Sequence, residues 1–225
     1  MRSAVAAAVT LSLSLSGTAL AEAGEWETII DGPPFVVKNR ARPGSAIKEV
    51  WAEGDVEARV GDLQAALMEP SRFNTFMPNV KSAKEIGAKE ADGSFYVYTE
   101  LDLPVIQSRD YVVQVWVDEP AQPDGTGQFR QHWRAVPDKL PEKSEYIRVK
   151  VNDGSWHITP VGDGSKSHVV YKFSTDPGGL IPSWAKDMGN KRAVVDVLRA
   201  VEGEAKRRAT ERAKKASAGA VGLPA

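Results

Sequence analysis

From residue 84 onward, apolar and polar positions alternate in short runs, the period-two pattern of half-buried antiparallel strands. The runs cover residues 84–89, 95–103, 109–118, 128–136, 146–151, 155–161 and 168–175. Turn residues separate them: Ala91-Asp92-Gly93, Pro123-Asp124-Gly125, Asn152-Asp153-Gly154 and Gly162-Asp163-Gly164. The third of these predicts a tight hairpin. Upstream, residues 26–30, 35–40 and 46–56 also read as strands, the last with Val50, Ala52 and Val56 set against Glu49, Glu53 and Asp55. The period changes over 55–68, where Val60, Leu63, Ala66 and Leu67 fall three or four apart, predicting a short amphipathic helix that Pro70 ends. Residues 71–80 follow as an aromatic-rich helical turn and loop. The last element, 182–208, is a long helix with Trp184, Met188, Val195, Leu198 and Val201 on one stripe and Val194 beside it. Strands, a short helix, a meander and one long helix make a single α+β domain over 22–210. The small-residue end, 211–225, reads as a disordered tail.

Composition narrows the function classes. The chain has 225 residues, 42% hydrophobic, enough for one well-filled core. A net charge of -1 gives no global field for nucleic acid. The absence of cysteine excludes thiol catalysis, zinc-thiolate sites and a cysteine-linked lipid anchor. Arg2, the apolar run 4–15 and Ala19-Leu20-Ala21 read as a secretory signal peptide, residues 1–21, cut after Ala21. A membrane anchor is the alternative; the run is short for a span. The expectation is an exported protein, periplasmic if the source is a Gram-negative bacterium and secreted otherwise.

Three local patterns, in this order and at these separations, resemble one family. They are Ser108-Arg109-Asp110-Tyr111-Val112, Gly154-Ser155-Trp156-His157-Ile158-Thr159-Pro160, and the junction Asp176-Pro177-Gly178-Gly179-Leu180-Ile181-Pro182-Ser183-Trp184. Together they look like the START (steroidogenic acute regulatory protein-related lipid transfer) domain, over about 26–208. The resemblance implies a helix-grip fold: a curved antiparallel sheet wrapped around the C-terminal helix, with an apolar tunnel between them. It also implies binding and carriage of one lipid rather than catalysis. Related helix-grip proteins include cyclases and hormone receptors, so fold alone does not fix function.

The resemblance makes Trp184, Met188, Val195 and Leu198 the ligand side of a helical lid. Trp116, Trp133, Tyr171 and Phe173 are candidates on the sheet, although alternation does not say which face points inward. Phe76 and Met77, with Phe73, either plug the tunnel or pack in the core. Glu100 is either a tunnel acid or part of a solvated strand face with Asp102. In some START members an acid here pairs with an arginine of the next strand, but Val115 stands at that position. Arg109 and Asp110 read as a polar anchor or, preferentially, as a structural ion pair and turn support. The apolar segment 101–107 and the junction 178–182 form either a mouth against a membrane or a buried crossover. His132, His157 and His168 fall on separate strands, with no metal-site spacing.

The expected function is an exported lipid-binding or lipid-transfer protein, with no reaction, metal or cofactor. It would hold one sterol-like, phospholipid or fatty acyl ligand and make transient membrane contact. The alternatives are a helix-grip enzyme using Glu100, or a ligand-sensing interaction module.

Overall fold

The computed structural model describes residues 24–42, 47–103, 106–179 and 183–220, with side chains of the last segment described over 192–218. The leader pattern of residues 1–21 lies outside the described residues. The chain begins with β1 (Glu27–Ile30), β2 (Phe35–Ala41) and β3 (Lys48–Val56), then α1 (Val60–Leu67), a 3-10 turn and α2 (Phe73–Phe76). The meander follows as β4 (Val80–Ile86), β5 (Phe95–Leu101), β6 (Arg109–Glu119), β7 (Phe129–Ala135), β8 (Ile147–Arg148), β9 (Val151–Val161) and β10 (Lys166–Asp176). The long helix α3 (Ser183–Ala220) closes the order.

All ten strands form one sheet, ordered β1-β2-β3-β10-β9-β7-β6-β5-β4, with the short β8 added parallel to β6. The helices α1 and α2 carry the chain from β3 to the far edge, and the meander returns strand by strand until β10 pairs antiparallel with β3. The helix α3 packs on α1 and also touches α2, β2 and β3. This is the helix-grip architecture. Its main core joins β2 and β3 (Val37, Ala52) to α1 (Leu63, Ala66) and α3 (Leu198, Val201), all buried.

Three of the turns form as read. Asp92, Asp124 and Asp163 each accept the backbone N–H two residues on, at 2.9, 2.9 and 3.0 Å, the side-chain mimic of a turn. The fourth does not. Asn152, Asp153 and Gly154 lie inside β9, paired with Thr175, Ser174 and Phe173 of β10. Tertiary contacts override the local turn signal. The Asn152 side-chain oxygen accepts from Trp133 Nε1 at 3.2 Å, and Asp153 Oδ1 accepts from the Ala135 N–H at 3.1 Å. Gly154 faces the Trp133 ring: a Cβ there would sit 2.3 Å from that ring and 2.5 Å from the Lys172 carbonyl. The expected strand 146–151 is accordingly two pieces, β8 and the start of β9.

The last helix also differs from its pattern. It runs through Ala220 rather than ending near Arg208, so the stretch read as a disordered tail is helical to that point. Charge pairing accounts for the extension as far as Arg212. Arg212 forks onto Asp62 of α1, which is 3% exposed, with one arm at 3.0 Å. Arg208 reaches Glu69 at 2.5 Å, and Arg207 pairs with Glu211. Glu204, 4% exposed, accepts from Arg207 at 2.6 and 2.7 Å and from Arg208 at 2.8 Å. Chiefly through Arg207, its carboxyl is held down to about 2.

Two outcomes follow from this packing. Gly154→Ala forces the added methyl into the indole and a backbone carbonyl, and is expected to lower stability by about 1–3 kcal/mol in urea unfolding. Glu204→Gln is expected to lower stability by about 1–3 kcal/mol at neutral pH. The folded carboxyl titrates below its usual 4.5. Its contribution is therefore present above that value and is lost as pH falls towards 2. The wild-type and variant unfolding curves should converge across that window.

Candidate functional site

Strand alternation fixes which side chains meet beneath α3. On β5, Phe95, Val97, Thr99 and Leu101 face inward; on β6, Arg109, Tyr111, Val113 and Val115 do. Gln131 and Trp133 of β7, Asn152 and Trp156 of β9, and Tyr171, Phe173 and Thr175 of β10 continue the same face. Leu67, Pro70, Phe73 and Met77 close one side, and Ala193, Val194 and Val197 of α3 form the lid. The partly open cavity measures about 390 Å³ and is lined mostly by apolar groups, within the size range of ligand pockets.

One wall is aromatic. Tyr171 stacks on Trp156 with centroids 4.1 Å apart, on Phe173 at 4.9 Å and on Trp133 at 6.1 Å. Burial pushes the Tyr171 phenol well above its usual value, so it stays neutral. The opposite end is polar. Arg109, 1% exposed, donates to the backbone carbonyls of Gln107, Pro177 and Gly178, the latter two at 3.2 Å. Desolvation lowers its affinity for its proton. Gly178 and Gly179, at φ of 62° and 63°, let the chain turn tightly around this guanidinium before α3. Thr99 Oγ1 and Gln131 Oε1 are buried without a hydrogen-bond partner. The Tyr111 phenol stands opposite Thr99 in the register, but the pair does not reach good hydrogen-bond geometry.

The sequence-derived site residues divide accordingly. Met77, Trp133 and Tyr171 line the cavity, as does Phe173. Phe76 does not; it packs partly buried against the main core. Val195 and Leu198 also belong to that core and do not line the cavity; Val194 and Val197 belong to the same core and, with Ala193, do line it. For Trp184 and Met188 the side chains lie outside the described residues, as do Pro104, Val105 and residues 180–182 of the expected mouth. Leu101, Leu103 and Pro177, from the flanks of that mouth, do reach the cavity.

Parity places Trp116 and Glu100 on the outer face. Trp116 follows the inward Val115, so it faces outward, where it stacks on His132 at 4.9 Å and donates Nε1–H to Asp92 at 3.0 Å. Glu100 lies between inward Thr99 and Leu101 and also faces outward. Its partner is Lys143, at 2.7 Å, with Ser82 donating at 2.9 Å. Lys143 is the main reason its carboxyl drops to about 2. Arg109 and Asp110, adjacent on one strand, must point to opposite faces and cannot pair with each other. Asp110 instead takes a bidentate hydrogen-bonded pair from Arg148 at 2.8 and 2.9 Å, both side chains 1% exposed, with the Tyr98 hydroxyl at 3.0 Å. Arg148 spends its other N–H groups on the carbonyls of Pro137, Leu140 and Pro141. The histidines lie apart, beside Asp118, Gln128 and Asp55 respectively. Thr99, Gln131 and Arg148 carried no ligand or core signal of their own in the sequence, whereas Arg109 reads there as a polar anchor or, preferentially, as half of an ion pair with Asp110. Parity with Val113 and Val115 was the clue for Arg109.

No family model matches the chain. An uncharacterised Pseudomonas aeruginosa protein is 29% identical over 195 residues, covering 86% of this chain and 92% of that one. The rat phosphatidylcholine transfer protein is 26% identical over 182 residues, covering 78% of this chain and 81% of that one. Among solved structures, a STAR-related lipid transfer protein fragment from Xanthomonas axonopodis superposes with a TM-score of 0.67 at 25% identity, covering 80% of this chain and 98% of that one. The START resemblance read from the sequence therefore holds in both fold and sequence.

The buried Asp110–Arg148 pair braces the outer side of the cavity wall. Asp110→Ala leaves Arg148 buried without its counter-charge and is expected to lower unfolding free energy by about 3–5 kcal/mol in urea titration.

Proposed function

We propose that this START-fold chain is a lipid carrier: it encloses one apolar ligand between the sheet and α3 and moves it between membranes. The observation that carries this reading is the partly open, mostly apolar cavity of about 390 Å³ beneath α3. The likeness to proteins named for lipid transfer, one bacterial and one mammalian, supports it. Burying roughly 400 Å² of apolar ligand surface is worth about 10 kcal/mol before ordering costs, which suits a ligand that crosses water poorly alone.

The mechanism is stoichiometric binding rather than turnover. Glu100, the acid–base candidate, faces away from the cavity and is held ionised by Lys143. The segments around Leu103 and Pro177 supply the mouth, where transient membrane contact would admit and release ligand. The leader pattern of residues 1–21 supports export, to the periplasm in a Gram-negative cell.

Native mass spectrometry of the purified protein tests the reading. The expected spectrum shows one co-purified lipid per chain, or one taken up from vesicles. A chain that remains empty under both conditions would contradict it. Val113→Trp, which projects an indole into the cavity, is expected to reduce bound lipid by about tenfold or more while costing at most about 1–3 kcal/mol of stability.

A further inference from the structure

Arg109 is among the largest fully buried side chains, yet it faces the cavity. It makes three hydrogen bonds, all to backbone carbonyls, and it pairs with no carboxylate among the described residues. A guanidinium has more N–H donors than these bonds use. Among the described residues no acidic side chain lines the cavity, and Arg109 is the only basic one that does. The contrast with Arg148 is direct: that arginine is equally buried, and Asp110 neutralises it in bidentate fashion. Arg109 has the same burial and no such partner.

The groups beside it have spare hydrogen-bonding capacity. Tyr111 follows two residues along the same face of β6, and Thr99 stands opposite Tyr111 on β5. The Thr99 hydroxyl is buried without a partner. A positive guanidinium, a phenol and a hydroxyl without a partner occupy neighbouring inward positions of β5 and β6 in a mostly apolar cavity, and the aromatic wall of Trp156, Tyr171 and Phe173 continues its inner surface.

We propose that the ligand is an amphiphile with an anionic oxyanion head, a carboxylate or a phosphate, seated against Arg109. Its hydrocarbon runs along the aromatic wall. This rests on the lipid-binding reading above and specifies its ligand. An oxyanion completes the charge balance that Arg109 lacks, and guanidinium geometry suits two-pronged contact with either head group. Tyr111 and Thr99 can each donate a further hydrogen bond to it. The cavity volume, at the lower end of the range for ligand pockets, favours a single acyl chain.

The test compares three ligands sharing one C18 monounsaturated chain: oleate, 1-oleoyl lysophosphatidate and the neutral oleyl alcohol. Each is titrated into delipidated full-chain protein below its aggregation concentration, following tryptophan emission and calorimetry. At least one anionic ligand is expected to bind about tenfold or more tightly than oleyl alcohol. Which of the two does so assigns the head as carboxylate or phosphate. In Arg109→Gln the anionic-to-neutral affinity ratio is expected to fall close to one. Since Arg109 also ties the β10–α3 junction, Thr99→Val provides a second variant; it removes one donor and should lower that ratio about threefold. Equal affinity of wild-type protein for all three ligands overturns the head-group assignment while leaving lipid binding intact. Failure of all three to bind overturns the assignment and weighs against the lipid-binding reading as well.

Discussion

Alternation along the strands is the constraint on which the site depends. Successive residues of an extended chain point to opposite faces. On β5 and β6 this sorts Val97, Thr99, Arg109, Tyr111 and Val113 into the cavity and Tyr98, Glu100 and Asp110 away from it. The two faces then solve different electrostatic problems. Outside, a buried charge is matched by its opposite, as Asp110 is by Arg148. Inside, Arg109 rests on backbone carbonyls alone among the described residues. Adjacent residues of one short motif therefore serve separate purposes: Asp110 braces the wall and Arg109 faces the void.

The closing helix is fixed by a second set of charges. Toward its C-terminal end, Glu204 gathers Arg207 and Arg208, while Arg212 clasps the buried Asp62 of α1. Nearer its start, Ala193, Val194 and Val197 present only small or branched apolar groups to the cavity. Among the described residues, the strong directional contacts thus lie on the part of α3 that packs on α1, and the cavity-facing part contributes non-directional apolar surface. That division suits a lid over a ligand of variable shape.

Much of the fold was legible because local signals and tertiary contacts agree. The Asp-Gly-Ser/Thr turns at 92–94, 124–126 and 163–165 are local structures, stabilised by each aspartate's own side chain. The same tripeptide at 153–155 shows where locality ends, because Ala135 of β7 claims the Asp153 side chain and the Trp133 ring fills the space above Gly154. The site was less legible. Hydrophobic alternation announces two faces without naming the inner one, so Trp133 and Tyr171 were grouped with the outward Trp116. Glu100 drew attention as a lone acid, but its partner Lys143 lies 43 residues away, in a loop whose placement no spacing reveals. On α3 one buried stripe carries Val194, Leu198 and Val201, and periodicity alone does not say that Val194 meets the cavity while Leu198 does not.

The central claim is that one lipid occupies the inner face of the sheet beneath α3. Photo-crosslinking with a fatty acid bearing a diazirine in mid-chain, followed by peptide mapping, tests it most directly. Adducts are expected on inward residues of β5, β6 and β10, such as Val97, Val113 and Tyr171, and not on outward Tyr96, Tyr98 or Trp116. Adducts confined to those outward residues, or scattered without regard to strand parity, would contradict it.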